Sequence, residues 1–264
     1  LPIGISFYIF LCIGYLTDVY RNTIQPENHF GYFLNFVIFF PKLISGPVER
    51  SKNLLPQLRK RYNWDRHVFH DGLVQIFWGM FKKYVIADRL IVIISNVYEN
   101  LYDYSGIPLG VTLFLQVIHL YCDFSGYTDI ALGIGKLFGI NLINNFNRPL
   151  FAKNISEFWR KWHISLSKWC DDYIFKRIIL RRYKWKKWAF VYAVFMTFLV
   201  IGIWHGDRWN YVFLGLLQAI AISYEFFTKK FRFLLSNKIN KKVYVFVSRL
   251  LTFVFFSFSL IFFH

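Results

Sequence analysis

Acidic side chains are scarce in this sequence: 15 Asp and Glu stand against 32 Lys and Arg, a net charge of +17. Charged residues of both signs make up only 18% of the 264 residues, below the quarter or so usual for soluble domains. The three cysteines, Cys12, Cys122 and Cys170, are far apart and share no metal or redox spacing, which excludes a disulfide framework and reads as small buried hydrophobes. No Gly-x-Ser-x-Gly elbow is present, so a soluble-type serine hydrolase is excluded. Gly133, Gly135 and Gly139 lack the third glycine and the preceding strand of a nucleotide loop and read as helix-packing glycines. His29, His67, His70, His119 and His264 show no ligand spacing. His67 and His70 are three apart on a predicted helix, but no acid or cysteine stands at matching offsets, so no metal site is expected.

Apolar and aromatic residues are what the chain has in excess. Hydrophobic residues are 56% and aromatics 22%, with 32 Phe, 17 Tyr and 9 Trp. That composition belongs to the membrane class. The basic residues lie in blocks between apolar runs, the pattern of loops facing the cytoplasm and anionic lipid and not of a nucleic-acid surface. The expected fold is therefore all-α, a multi-pass transmembrane helical bundle with re-entrant and amphipathic interfacial helices. It is read as a single membrane-embedded domain over 1–264. An apolar run opens at Leu1 and another is unfinished at Leu251 to Phe263, the look of a fragment of a longer protein.

Leu1 to Tyr20 has about spanning length. Phe30 to Phe40 is too short to cross ~30 Å of hydrocarbon, and Pro41, Gly46 and Pro47 break it. Such a segment suits a re-entrant hairpin if protein or water satisfies its broken backbone. Arg50 to Arg66 is a basic connector, and His67 to Asn100 is helical in character with Lys82, Lys83, Asp88 and Arg89 interrupting it. Two apolar runs, Pro108 to Tyr121 and Ile130 to Ile140, flank Asp123 and Asp129. Acids at that depth are costly and predict a polar cavity or a helix break; a loop at the interface is the alternative.

Lys153 to Ile178 predicts one amphipathic helix. Asn154 and Glu157 resemble a capping box, and Trp159, Trp162, Leu166, Trp169 and Tyr173 form a stripe at three- and four-residue steps. Arg160, His163, Ser167 and Asp171 lie on the adjoining face. A tryptophan stripe beside Lys and Arg suits the headgroup plane or the cap of a bundle. Lys176 to Lys187 holds seven basic residues and no acid, and Lys229 to Lys242 is basic again. Between them, Trp188 to Trp204 and Tyr211 to Phe227 form a hairpin whose two ends should be cytoplasmic by the positive-inside rule. Seventeen residues give about 25 Å of helix, so the turn Trp204 to Asn210 should stop inside the membrane profile.

That turn carries the leading chemical candidate, His205. A neutral imidazole there can take a proton from a hydroxyl, and Gly206 removes side-chain bulk. The alternative is a histidine capping a helix end. His163 is the second candidate, with a headgroup-facing histidine as its alternative.

Trp162-His163-Ile164-Ser165-Leu166-Ser167, followed by Asp172-Tyr173 and then Trp204-His205-Gly206, resembles the signature of membrane-bound O-acyltransferases. The likeness is greatest to the bacterial alginate O-acetyltransferase-like branch. Leu1 to Phe7, Asp18-Val19-Tyr20-Arg21, Ser45-Gly46-Pro47-Val48, Asp123 to Asp129 and Asn145 to Pro149 agree with that branch, so the likeness covers nearly the whole chain in order. Two places depart from it: Phe175 to Ile179 replaces a Pro-Leu-Gly-Gly segment, and Asp171 stands where arginine is common.

The resemblance implies a helical funnel with His205 and His163 as catalytic residues, and the transfer of an acyl group, most simply acetyl, from a thioester donor to hydroxyls of an exported polysaccharide or cell-envelope glycan. The donor would be acetyl-CoA or another acyl-CoA, or a carrier thioester, with no bound cofactor and no metal. Asp172, Arg160, Trp204, Gly206 and Ser167 would support the site. The expected surroundings are the bacterial cytoplasmic membrane, a glycan acceptor and a periplasmic acetyltransferase partner protein, with no nucleic acid. D-alanyl transfer to teichoic-acid polymers is the sister alternative. A membrane transporter or channel using Asp123 and Asp129, and an inactive assembly scaffold, are the rival classes.

Overall fold

The computed structural model describes residues 4–43 and 45–263. The opening residues Leu1 to Ile3 and His264 lie outside the described residues. Among the described residues the chain is helical, with no strand, and no cluster of His, Cys, Asp and Glu forms a metal cage. Contacts divide it into two compact units: Leu1–Ser95 with Ile118–Asn145, and Asn96–Val117 with Phe146–His264.

The first unit contains α1 (Ile5–Tyr20), α2 (Phe30–Ile38), α3 (Ser51–Arg59), α4 (Arg66–Met80), most of α5 (Asp88–Glu99) and the larger part of α6 (Ile107–Leu137). α1 runs 16 residues, about 24 Å, short of a full crossing. The short apolar segment is α2 followed by a 3-10 turn, Phe40–Lys42. Lys42 is buried, and its amine donates to the Phe36 carbonyl. The backbone acceptor freed where the helix stops is thus met by a side chain, the condition for broken backbone at membrane depth.

The expectation at Asp123 and Asp129 needs correction. No break or loop occurs there, because α6 is a single helix of 31 residues. Its acids are neutralised by lysines. Lys82 reaches Asp129, which also accepts from Gln75 Nε2 at 3.1 Å, and donates to Ser125 Oγ at 2.9 Å. Lys83 lies 2.7 Å from both Asp123 and Asp88. Both lysines sit in a π-helical stretch, Phe81–Ala87. The extra residue per turn of such a stretch changes which side chains face the neighbouring helix. Close approach of the two backbones brings the charges together. A Cβ on Gly72 would stand 2.9 Å from the Gly133 carbonyl, and one on Gly79 would stand 2.6 Å from the Gly126 carbonyl. Glycine at such crossings is how membrane helices approach closely, as expected for Gly133.

The second unit contains the rest of α6, then α7 (Ile155–Lys161), α8 (Ile164–Cys170), α9 (Lys176–Arg181), α10 (Lys187–His205), α11 (Trp209–Phe227), α12 (Lys229–Lys238) and α13 (Lys241–Ser259), closed by a 3-10 turn, Leu260–Phe263. Among the described residues, four helical segments are long and apolar enough to span a membrane: Ile107–Leu137, Lys187–His205, Trp209–Phe227 and Lys241–Phe263. Trp188, Ile203, Phe213, Ile220, Phe246 and Leu251 are exposed on them. An apolar surface of that extent calls for lipid as its solvent, and the chain is a membrane protein.

The predicted helix over Lys153 to Ile178 is not continuous. It stops at Trp162, turns at His163 and restarts at Ile164. A second irregularity follows, a π-helical stretch at Asp171–Phe175. The tryptophan stripe packs on protein, as the cap of a bundle would, since Trp162, Leu166 and Trp169 are buried. They are core: Trp162 stacks on Phe158 and lies tilted against Phe256, and Trp169 packs on Tyr173.

Candidate active site

The break at His163 is held on every side. His163 has φ 43 and ψ 53, a left-handed conformation that costs a residue with a Cβ about 1–3 kcal/mol and persists where its surroundings fix it. Before it, the Asn147 amide donates to the Lys161 carbonyl at 3.0 Å. Trp162 is wedged against Phe158 at 5.4 Å, Phe146 at 5.0 Å and Phe256 at 5.7 Å between ring centroids. After it, the Ser167 amide donates to the His163 carbonyl at 3.0 Å, and Ser167 Oγ to the Trp162 carbonyl at 3.3 Å. Ser167 therefore satisfies the backbone acceptors that the break releases. The outcome is to drive the His163 imidazole inward: the residue is 3% exposed.

His205 arrives from the other side as the last residue of α10. α10 and α11 form the predicted hairpin, and close contact near its tip is set by small residues. A Cβ on Gly202 would stand 2.6 Å from the Tyr211 carbonyl, and one on Gly215 would collide with the Phe198 carbonyl. Gly206 serves a different end from the one expected. The space its Cβ would take is filled by the Tyr211 ring, so its smallness admits an aromatic side chain of the same hairpin.

Trp204 joins the two histidines. Its ring centroid lies 6.1 Å from that of His163 and 4.9 Å from that of His205, so the imidazoles can be no farther apart than those two distances together. Phe263 stands edge-on to His205 at 5.7 Å, and Tyr211 lies 6.3 Å away. Burial pushes the His163 pKa down to about 3, and the nearness of His205 adds to the shift. His163 is thus neutral at physiological pH, able to accept or donate one hydrogen bond from each nitrogen.

A cavity of about 530 Å³ runs beside this pair, lined by Trp159, Arg160, Ile164, Ser167, Phe198 and Ile201 among others. Neither imidazole is among its lining residues; Ile164 follows His163 in sequence, and Ile201 stands one helical turn before His205. Of the supporting residues, Arg160 and Ser167 line the cavity. Asp172 instead pairs with Lys176 at 2.9 Å, a lysine shared with Asp171 at 2.7 Å.

Three residues that position this site were absent from the sequence reading. Tyr211, Gln218 and Glu225 recur every seven residues on α11, which keeps them on one face. Tyr211 packs beside His205. Gln218 accepts from Trp159 Nε1 at 3.2 Å and donates to Ser259 at 3.0 Å. Glu225 accepts from the Ile155 and Ser156 amides at 2.6 and 3.0 Å, capping the start of α7. The available signal was an acid and an amide inside an apolar run, which at membrane depth marks a partnered group.

The model of the membrane-bound O-acyltransferase family matches residues 27–263. The chain belongs to the membrane-bound O-acyltransferase family. Among its relatives is the protein named "Probable alginate O-acetylase AlgI" of Pseudomonas putida, 38% identical over 227 residues that cover 85% of this chain and 46% of the relative. A peptidoglycan O-acetyltransferase of Helicobacter pylori is 35% identical over 88% of this chain and 50% of its own length. A teichoic acid D-alanyltransferase of Bacillus subtilis is 30% identical, covering 89% and 62%. The chain spans about half the length of the curated relatives it matches. His163 and His205, both inside the matched range, are the residues gathered around Trp204 in the second unit.

Proposed function

We propose that this chain is the acyl-transfer part of a membrane-bound O-acyltransferase that moves an acetyl group from a thioester onto hydroxyls of an exported or cell-envelope glycan. The observation that carries the reading is the pair of imidazoles that pack on Trp204, that of His163 buried, beside a cavity. In this reading His205 takes the proton of the acceptor hydroxyl. The hydroxyl oxygen attacks the thioester carbonyl carbon, a C–O bond replaces the C–S bond, and the imidazole passes the proton to the departing thiolate. His163, neutral and fixed by its turn, donates a hydrogen bond to the oxygen that gains charge. Trp204 packs on both rings and excludes water. Arg160 and Asp172 steady the helices that carry these groups, and Ser167 fixes the turn.

The basic segments Lys176 to Lys187 and Lys229 to Lys242 support a cytoplasmic face for both roots of the α10–α11 hairpin and residence in the bacterial cytoplasmic membrane. The donor, acetyl-CoA or a carrier thioester, then enters from inside. The acceptor approaches from outside, with a periplasmic partner protein in the role the resemblance implies. Acetylation is favoured over D-alanylation because identity to the acetylases is higher, 38% and 35% against 30%. The test is mass spectrometry of envelope glycans from cells making the full-length protein or its His205→Ala variant, with acetate and D-alanine labelling in parallel. Loss of glycan O-acetate in the variant, at unchanged membrane level, is the expected result. Unchanged acetylation defeats the reading, and loss of D-alanine esters instead transfers it to the sister chemistry.

A further inference from the structure

The first unit holds a cavity of about 540 Å³ where the ends of α2, α3 and α6 meet. Its wall is aromatic. α2 stops at Ile38, ahead of Pro41, and Phe39 and Phe40 follow with ring centroids 6.1 Å apart. Phe138, just past the end of α6, meets Phe40 edge-on at 6.0 Å. Phe40 is 58% exposed and Phe138 53%, so this wall opens outwards. Gln57 fixes the frame: its Nε2 donates to the Asn141 carbonyl at 3.1 Å and its Oε1 accepts from the Asn141 amide at 2.8 Å. Two polar groups of the lining are uncommitted. Arg59 is paired with Glu27 at 2.5 Å, but among the described residues no carboxylate pairs with its neighbour Lys60. Asn35 stands in the otherwise apolar stretch Phe33 to Ile38, and among the described residues no protein group bonds to its amide. A polar side chain set in an apolar helix at membrane depth marks a group that has a partner.

We propose that this cavity seats an anionic phospholipid of the cytoplasmic leaflet, with its phosphate on Lys60 and one acyl chain along Phe40 and Phe138. The inference goes beyond acyl transfer and does not depend on it. The level of the cavity follows from charge. The connector that carries Lys60 is basic throughout, and Lys136 lies in the last turn of α6. Cations at both ends that meet here put the cavity on the cytoplasmic side by the positive-inside rule, where the leaflet surface is negative. Lysine is a point charge on a flexible stem. It reaches a phosphate without a fixed geometry while its stem covers apolar surface. The Asn35 amide supplies a donor for the ester carbonyl that joins headgroup to chain. The rings of Phe40 and Phe138 are uncharged and open, and a chain laid over them removes both from water. Competing occupants fit less of the site. A soluble anion would use Lys60 alone and leave the aromatic wall bare. A zwitterionic lipid brings its own ammonium towards Lys60, and like charges repel.

The probe is phosphatidylglycerol with a photoactivatable diazirine on one acyl chain, added to the full-length protein in phosphatidylcholine nanodiscs, with crosslinked peptides mapped by mass spectrometry. Labelling at Phe40 and Phe138 is expected, competed by unlabelled phosphatidylglycerol and not by glycerol phosphate in solution. Lys60→Gln is expected to cut that labelling about fivefold, the worth of one lysine at an anionic leaflet. Asn35→Leu should cut it about threefold, the scale of one neutral hydrogen bond. Both side chains are exposed, so neither exchange disturbs packing. Lys230→Gln removes an exposed charge of α12 and should leave labelling at the two rings unchanged. Equal labelling by the phosphatidylcholine form of the probe, or a Lys60→Gln variant that labels like the parent, overturns the seat. Competition by glycerol phosphate also overturns it, because Lys60 then holds a free phosphate. So does a Lys230→Gln variant that loses labelling as Lys60→Gln does, since total surface charge then explains the attraction.

Discussion

Removing the Asp129 carboxylate should destabilise the protein more than removing it together with its partner. Lys82 is 9% exposed at its side chain and Asp129 20%, and the amine has one other acceptor, Ser125. Asp129→Ala leaves an ammonium among apolar helices with a single hydroxyl to meet it. Breaking a buried pair in this way costs about 3–5 kcal/mol, whereas replacing both partners by apolar groups of similar size is often neutral or stabilising. For a protein of this size, about 1 kcal/mol shifts the melting temperature by roughly 2–4 °C, so Asp129→Ala should lower it by about 10 °C. Lys82→Met combined with Asp129→Leu should recover most of that loss. The assay is thermal unfolding of the full-length protein in detergent, run as a double-mutant cycle with glycan acetylation measured alongside. A double variant as unstable as the single one refutes the pairing. An Asp129→Ala variant that melts like the parent but loses activity contradicts the structural role and returns the carboxylate to a solute or proton path, as a transporter requires.

Acid should unfold the second unit early. The His163 pKa is held down by burial, so the unfolded chain binds its proton first; stability is fully present above the unfolded value of about 6.5 and declines as pH falls towards 3. Circular dichroism against pH should show this loss, and His163→Gln should flatten it below pH 6. Glu225→Ala removes the acceptor of two amides and one hydroxyl and should cost about 2–3 kcal/mol, read as faster proteolysis around α7. Gly79→Leu pushes a side chain into the Gly126 backbone and should lower the yield of folded protein sharply, while Gly110→Leu, in open space, should not.

Much of the architecture was legible because lipid imposes simple rules. The α10–α11 hairpin follows from two apolar runs between two basic blocks, and its turn falls at His205 as the run lengths require. The short Phe30 to Phe40 segment announced a broken backbone. What the sequence concealed were places where one side chain settles a local conflict. Asp123 and Asp129 read as a polar cavity, a helix break or an interface loop because their partners, Lys83 and Lys82, are 40 and 47 residues away and are aimed by a π-helical stretch that no periodicity betrays. The Lys153 to Ile178 stripe keeps helical spacing through His163, yet the chain turns left-handed there, since Asn147, Phe146 and Phe256 fix the break from outside the segment. The two histidines were found as separate candidates, one by depth and one by its place on the polar face of the tryptophan-striped segment. That both pack against Trp204 needed coordinates.

The most direct test is a cycle of His205→Ala, His163→Ala and both together, with acetyl transfer from labelled donor followed in membranes holding equal amounts of full-length protein. Groups that serve one step around one tryptophan act as a unit, so the double variant should be no slower than the worse single one. Losses that multiply, or either histidine proving dispensable, would contradict a shared site.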